Sequence, residues 1–330
     1  MTDSLEDTAV SLAKRVLVTG ANGFVGTRLC AEMRRRGFPV RAALRQAEAT
    51  VDGLDTVEVG SISGDTDWTQ ALQAVDTVIH LAARVHVMRD IATDPLAEFR
   101  KVNVDATLNL ARQAAAAGVK RFVFISSVKV NGEETPLGQP YTAEQAPAPI
   151  DPYGISKLEA EEALRRLSEQ SGMDVVVIRP PLVYGPGVKG NFHSMMRWLL
   201  KGIPLPLASV RNRRSLVALD NLVDLIITCI RHPAAANQTF LVSDGDDLST
   251  PDLLRRTASA LAKSSWLLPV PVWLLQLGAG LLGKRSAVQK LCGSLQVNSD
   301  KTREKLGWAP PLSIDEALRL TAEDFLRRRQ

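Results

Sequence analysis

The feature that most constrains this chain is an alternation of two hydrophobic periods. Short β-rich runs at 15–19 (RVLVT), 40–44, 57–59, 76–81 (DTVIHL), 121–127 (RFVFISS) and 174–179 (DVVVIR) are separated by stretches of helical spacing at 27–36, 95–117 and 151–170. Strands alternating with helices predict an α/β fold, a doubly wound parallel sheet with helices on both faces. The run at 76–81 is continuously apolar, as burial on both faces requires. Ligands of such a sheet lie at the strand C-terminal ends, where Gly20, Ala82, Ser127 and Pro180 fall. After Pro180-Pro181 the alternation fails. Strands at 214–218 and 239–242 and helices at 220–230, 249–262, 272–282, 299–306 and 314–327 predict a smaller, mostly helical unit. With 330 residues, 45% of them hydrophobic, the chain has enough core for one large or two intimate domains. The expected division is 1–180 for the sheet domain, with segments near 213–242 returning to it, and 181–330 for a second unit that caps the sheet and holds a ligand.

The first strand runs into Gly20-Ala21-Asn22-Gly23-Phe24-Val25-Gly26 and then into a helix. That order sets backbone N–H groups and a helix N-terminus against a pyrophosphate. Gly20, Gly23, Phe24, Val25 and Gly26 are therefore expected to hold a dinucleotide, although the spacing is GxxGxxG and not the commoner GxGxxG. An NAD site usually ends its second strand in Asp or Glu, whereas arginine there accepts a 2′-phosphate. Here Leu44 takes the acidic place, Arg45 follows and Arg41 precedes, so NADP(H) is favoured over NAD(H). Ile62, in the loop 61–65, is expected to flank the adenine. Leu81, Ala82 and Ala83 give a small-residue strand end against which a cofactor can lie, and Pro180 closes another.

Tyr153-Gly154-Ile155-Ser156-Lys157 places a phenol and an ammonium four residues apart, neighbours on one helix face. A nearby ammonium favours the phenolate, and a phenol brought toward neutral pKa exchanges protons with a sugar or alcohol hydroxyl. The opposing reading is a core tyrosine beside a surface lysine.

Lys and Arg total 40 against 36 Asp and Glu, mixed along the chain. No basic run is interleaved with aromatics, which argues against nucleic acid as a partner. Cys30, Cys229 and Cys292 lack CxxC spacing, so neither a disulfide framework nor a metal site is indicated. The first residues, MTDSLEDTAVSLAK, lack the order of a signal peptide, and the cytoplasm is the expected location. From Trp266 to Leu282 the chain is strongly apolar, but Pro269, Pro271, Gly278 and Gly280 interrupt it. It is short for an integral membrane span; a buried helix is expected, with a membrane-surface contact as the alternative.

GANGFVG at 20–26, HLAA at the fourth strand end, the Ser126-Ser127 strand end and YGISK together resemble the extended short-chain dehydrogenase/reductases, the nucleotide-sugar epimerase, dehydratase and reductase group. IRPPLVYGPG at 178–187 and SDKTREKLGW at 299–308 extend the likeness over nearly the whole chain. The resemblance implies a Rossmann-like NAD(P)-binding domain at 1–180, a smaller substrate domain at 181–330, a nucleotide-diphosphate sugar as substrate and commonly a homodimer. It implies that Ser127 binds the reacting sugar oxygen, that Tyr153 donates or accepts the proton, and that Lys157 tunes Tyr153 and holds the nicotinamide ribose. Arg214 matches an arginine that grips the substrate pyrophosphate, with a structural salt bridge as the other reading. Asn191 is expected near the phosphates, and His86 and Lys129 near the sugar. Two departures narrow the chemistry. Val128 and Lys129 replace the Asp-Glu pair of the dehydratases, which excludes that reaction, and Leu182 replaces an asparagine of the group's RxxN segment. The first choice is a reductase of a UDP-4-keto-6-deoxyhexose, N-acetylated or not, in surface polysaccharide synthesis. The runner-up is a UDP-hexose 4-epimerase; a non-catalytic dinucleotide-binding protein is the alternative of another class.

Overall fold

The computed structural model describes residues 15–46, 53–85, 94–281 and 285–328. From the N-terminus the chain forms β1 (Arg15–Thr19), α1 (Phe24–Arg35), β2 (Val40–Leu44), β3 (Asp55–Glu58) and β4 (Val75–His80). Then come α2 (Pro95–Arg100), a π-helical turn (Lys101–Asp105), α3 (Ala106–Ala116), β5 (Arg121–Ile125), α4 (Pro152–Ser171) and β6 (Asp174–Arg179). Beyond Pro181 follow β7 (Leu182–Tyr184), α5 (Gly190–Leu200), β8 (Leu216–Ala218), α6 (Leu219–Arg231), β9 (Thr239–Leu241) and α7 (Thr250–Ala260). The last helices are α8 (Val272–Leu281), α9 (Arg285–Cys292), α10 (Asp300–Leu306) and α11 (Ile314–Arg327).

The main sheet has seven strands in the order β3-β2-β1-β4-β5-β6-β9, every pairing parallel. The chain steps from β1 outward to β3, then returns to β4 on the other side of β1. That reversal opens a crevice at the carboxyl ends of β1 and β4, where Thr19 lies beside His80. Alternate residues of β1 serve opposite faces: Val16 and Val18 pack with Leu29 of α1 and Leu222 and Ile226 of α6, while Leu17 packs with Leu110 of α3 and Ala160 of α4. Two apolar layers thus clamp the sheet and fix its ends.

The C-terminal region has its own core, in which Tyr184, Phe192, Met196, Leu254, Leu318 and Phe325 join α5, α7 and α11. β7 and β8 form a separate two-stranded sheet, and isolated bridges sew the loops together: Arg214 with Leu248 and Leu295, Leu205 with Leu267, Tyr141 with Val297.

Three sequence expectations change. The single helix expected at 95–117 is interrupted by the π-turn, because buried Asn103 turns inward to polar partners. The strand expected to reach 127 stops at Ile125, where Ser127 begins a 3₁₀ turn at Val128–Val130. The apolar stretch after Trp266 is not a buried helix: in α8, Trp273, Leu274 and Leu277 are all exposed. Among the described residues no helix is long and apolar enough to cross a membrane. His86 lies outside the described residues.

Candidate active site

The glycine turn is built for close backbone approach. Gly20 has φ +67°, and a Cβ there would stand 2.9 Å from the Ala82 nitrogen. At Gly26 a Cβ would meet the Gly20 carbonyl oxygen at 2.1 Å, so α1 packs directly on the turn. No side chain caps the start of α1 at Gly23, so its first N–H groups keep their capacity for an anion. Half-buried Phe24 and Val25 pack under the turn. Leu81, Ala82 and Ala83 are half-buried across the crevice, and Leu81 N donates to the Thr19 carbonyl at 3.3 Å. These residues fit a dinucleotide's pyrophosphate and ribose. Half-buried Ile62 lies on a loop tied through the Thr66 carbonyl to Asn109 Nδ2 at 2.7 Å.

The arginines that favoured a 2′-phosphate behave differently from each other. Arg41 donates to Asp55 Oδ2 at 2.9 Å and to the carbonyls of Gln70, Ala71 and Gln73, which commits it to structure. Arg45 is exposed at the end of β2.

Tyr153 and Lys157 lie on successive turns of α4. Asp151 caps that helix, its Oδ1 accepting from Gly154 N at 2.6 Å, and Pro152 occupies the first turn, where a missing N–H costs nothing. Lys129 forms an ion pair with the other Asp151 oxygen and another with Glu133 at 3.3 Å. Its ammonium therefore braces the helix start. The Ser127 hydroxyl oxygen accepts from Lys129 N at 3.2 Å and so caps the turn after β5. Buried Phe99 meets Tyr153 edge-on at 6.0 Å between ring centroids, which fixes the plane of the phenol.

The electrostatics depart from the sequence reading, in which the ammonium favours the phenolate. Burial first, then the Asp151 charge, pushes Tyr153 up to about 12, against the lowering effect of the Ser127 hydrogen bond. Lys157 is itself buried, donates to the Ile125 carbonyl at 2.8 Å and lies 4.3 Å from the centre of the Phe124 ring. Desolvation brings it down to about 7, although Glu161 pulls the other way. A lysine near neutral pKa is a weak source of positive potential, so the phenol is held protonated. Pro180, buried, accepts from Val128 N at 3.0 Å and closes the floor.

Behind these residues lies a polar network that the sequence did not disclose. Glu161 is completely buried; it accepts from Arg179 at 2.9 and 2.6 Å and from Ser126 Oγ at 2.5 Å. Arg179 also donates to Asn131 at 3.0 Å. Asn103 donates to Ser156 Oγ at 3.0 Å and to the Arg84 carbonyl at 3.1 Å, and Ser156 donates to the Tyr153 carbonyl at 2.8 Å. His80, fully buried between Thr19 Oγ1 at 2.8 Å and Thr107 Oγ1 at 3.0 Å, is driven to about 3 by burial and by Lys157, and is neutral. The available signal was a polar residue inside an apolar periodic run.

The C-terminal candidates are less closely placed. Arg214 is half-buried, bridges Leu248 and Leu295 through its backbone, and donates to the Gly293 carbonyl at 3.0 Å. Burial lowers its pKa, against a raising effect of Glu134. Asn191 is exposed in the first turn of α5.

Residues 16–243 match the model of the NAD dependent epimerase/dehydratase family. The chain is 51% identical over 318 residues to a UDP-glucose 4-epimerase of Vibrio cholerae, covering 96% of this chain and 97% of that one. It is 28% identical to the N-acetyl-α-D-glucosaminyl-diphospho-ditrans,octacis-undecaprenol 4-epimerase of Escherichia coli O157:H7, over 93% of this chain and 94% of the other. Among solved structures, UDP-glucose 4-epimerase from Thermotoga maritima with UDP-glucose superposes with a TM-score of 0.74 at 23% identity, covering 96% of this chain and all of that one.

Proposed function

Since the chain belongs to the NAD-dependent epimerase/dehydratase family, we propose that it inverts C4 of a UDP-activated hexose, glucose or N-acetylglucosamine, in the cytoplasm. The reductase preferred from sequence has less support, because the 51% identical relative is an epimerase. NAD is the cofactor we assign. The family is NAD-dependent, and of the two arginines that suggested a 2′-phosphate, Arg41 is committed elsewhere.

Bound NAD supplies a reversible hydride acceptor. Gly20, Gly23 and Gly26 and the first N–H groups of α1 hold its pyrophosphate, Ile62 flanks the adenine, and Leu81 to Ala83 and Pro180 line the path to the reacting end. Tyr153 takes the C4 hydroxyl proton as the hydride leaves C4, and returns it once the keto sugar presents its other face. Ser127 binds the C4 oxygen throughout, and Lys157 tunes the phenol and holds the ribose. A phenol at about 12 is poised as the acid of the second step; its work as base would draw on the positive charge that a bound nicotinamide supplies. Arg214 and Asn191 belong to the substrate half, 181–330, and are assigned to the diphosphate. Lys129 and His86 stay as candidates near the sugar. A homodimer is the expected assembly.

The observation that supports this reading best is buried Lys157, one turn after Tyr153 on α4, donating at 2.8 Å to the last carbonyl of β5, whose strand leads into Ser127 at the same end of the sheet as the glycine turn. Incubation of the purified chain with UDP-glucose, with no cofactor added, is expected to yield UDP-galactose. Turnover that requires added NADPH and a 4-keto sugar would return the assignment to a reductase.

A second reading concerns the carrier of the sugar. The name of the 28% identical relative specifies an undecaprenyl-diphosphate-linked sugar, and a lipid-borne sugar is the second reading. Parallel assays with the UDP-sugar and a polyprenyl-diphosphate sugar separate the two.

A further inference from the structure

Three of the five tryptophans are on the surface of the C-terminal half. Trp198, Trp266 and Trp273 are 54%, 64% and 65% exposed, whereas Trp68 and Trp308 are buried. Ile203, Leu268, Leu274 and Leu277 are also exposed. The backbone joins these residues into one region. Leu205 N donates to the Trp266 carbonyl and Leu268 N to the Leu205 carbonyl, both at 2.8 Å, so the segment after α5 lies beside the segment before α8. Pro269-Val270-Pro271 leads straight into α8, which carries no charged residue and sets Trp273, Leu274 and Leu277 within one turn. Single exposed apolar residues are ordinary; a cluster of tryptophans and leucines is an interaction site.

Charge identifies the occupant. The sequence has no Asp or Glu between Asp174 and Asp220, and none between Asp252 and Asp300, although both stretches contain Lys and Arg. Arg197 and Lys201 flank Trp198, and Lys263 precedes Trp266; all three are exposed and form no ion pair with a described residue. A second copy seated here would set cation against cation. Indole rings at an apolar surface with a cationic border match the headgroup layer of an anionic bilayer. With ten residues α8 is about 15 Å long, half the thickness of a hydrocarbon core, so it lies in the interface and does not span it. We infer that this face of the C-terminal half docks peripherally on an anionic membrane surface, with Trp266, Trp273 and Leu277 as its apolar anchors.

The inference stands apart from the proposed reaction. A chain that binds vesicles but does not epimerise would sink the reaction and leave this surface assigned. The test is flotation of the full chain with vesicles of phosphatidylcholine alone and of phosphatidylcholine mixed equally with phosphatidylglycerol. The chain should float with the mixed vesicles only. The double substitution Trp273→Ser/Leu277→Ser should cut the floating fraction by about tenfold or more, with turnover of a soluble UDP-sugar and the circular dichroism spectrum unchanged. Charge reversal by Arg197→Glu/Lys201→Glu should weaken flotation as well. Flotation with neither vesicle, equal flotation with both, or unchanged flotation of the double variant would overturn the inference. So would a dimer that Trp273→Ser/Leu277→Ser splits in sedimentation velocity, because a second copy would then cover the patch.

Discussion

The two halves of this molecule hold their functional groups by different means. Around β1 to β6, each proposed group sits at a strand end or on the first turns of a helix, so local periodicity places it. Gly20 ends β1, Ala82 follows β4, Ser127 follows β5, and Tyr153 opens α4. After Pro181, Arg214 is held by backbone pairing to Leu248 and Leu295, residues remote in sequence. On the proposed function the first arrangement would carry the reaction and the second would vary the substrate, since loops tolerate changes that a buried sheet does not.

The strongest way to break this comparison is to remove one group from each half. Tyr153→Phe should lower kcat by about 10²–10⁴-fold, the usual weight of a general acid or base, with cofactor affinity retained. A variant keeping more than a small fraction of wild-type turnover would show that the phenol does not carry the proton.

A stability measurement probes the same half at comparable size. Arg179→Met strips the buried Glu161 carboxylate of one of its two guanidinium partners, leaving it the more exposed Arg165 at 2.9 Å, and should cost up to about 3 kcal/mol in urea denaturation. Arg179→Met/Glu161→Gln should recover much of that loss, because the charge goes with it. If the double variant is no more stable than the single, Arg179 contributes packing rather than charge compensation.

Arg214→Gln should act in the other half, and more weakly. About a tenfold rise in KM with kcat little changed is expected if Arg214 grips the substrate diphosphate in ground and transition states alike. An equal fall in kcat and kcat/KM would place Arg214 in the reacting step and blur the division of labour.

These contrasts also explain what the sequence disclosed. The strands from β1 to β6 and the order of glycine turn, Ser127 and YxxxK were legible because short-range periods encode them. β7 escaped because its three residues follow two prolines and carry no period of their own. Lys157 was misjudged as a source of strong positive potential, because sequence shows its distance from Tyr153 along the helix but not its burial against Phe124. The arginines flanking Leu44 at the end of β2 misdirected the cofactor reading, since Arg41, within the strand, finds three carbonyls that only the folded chain brings together. The apolar run after Trp266 reads the same in a core or at an interface, and only its exposure separates them.

The smallest expected effect compares a buried titratable group from each half as the solution is acidified. His80, held at about 3 against an ordinary 6.5, stays neutral in the fold while the unfolded chain takes up a proton, so its stabilising contribution is complete above 6.5 and erodes as pH falls toward 3. Asp244 behaves in the opposite sense. Burial raises its carboxyl above 3.8, against hydrogen bonds from Ala218 N, Asn221 and Tyr184, so its contribution is full at low pH and is lost as pH rises through the folded value. Lys157, down to about 7 from 10.5, erodes stability only between those two values and adds no slope below about 6. Urea denaturation from pH 6.5 to 5.5 should therefore show the wild type losing roughly 1 kcal/mol through His80, and His80→Asn should flatten that slope. Parallel slopes in the wild type and His80→Asn would mean that the His80 cavity admits the proton, and that the polar pairing with Thr19 and Thr107 holds the imidazole in either charge state.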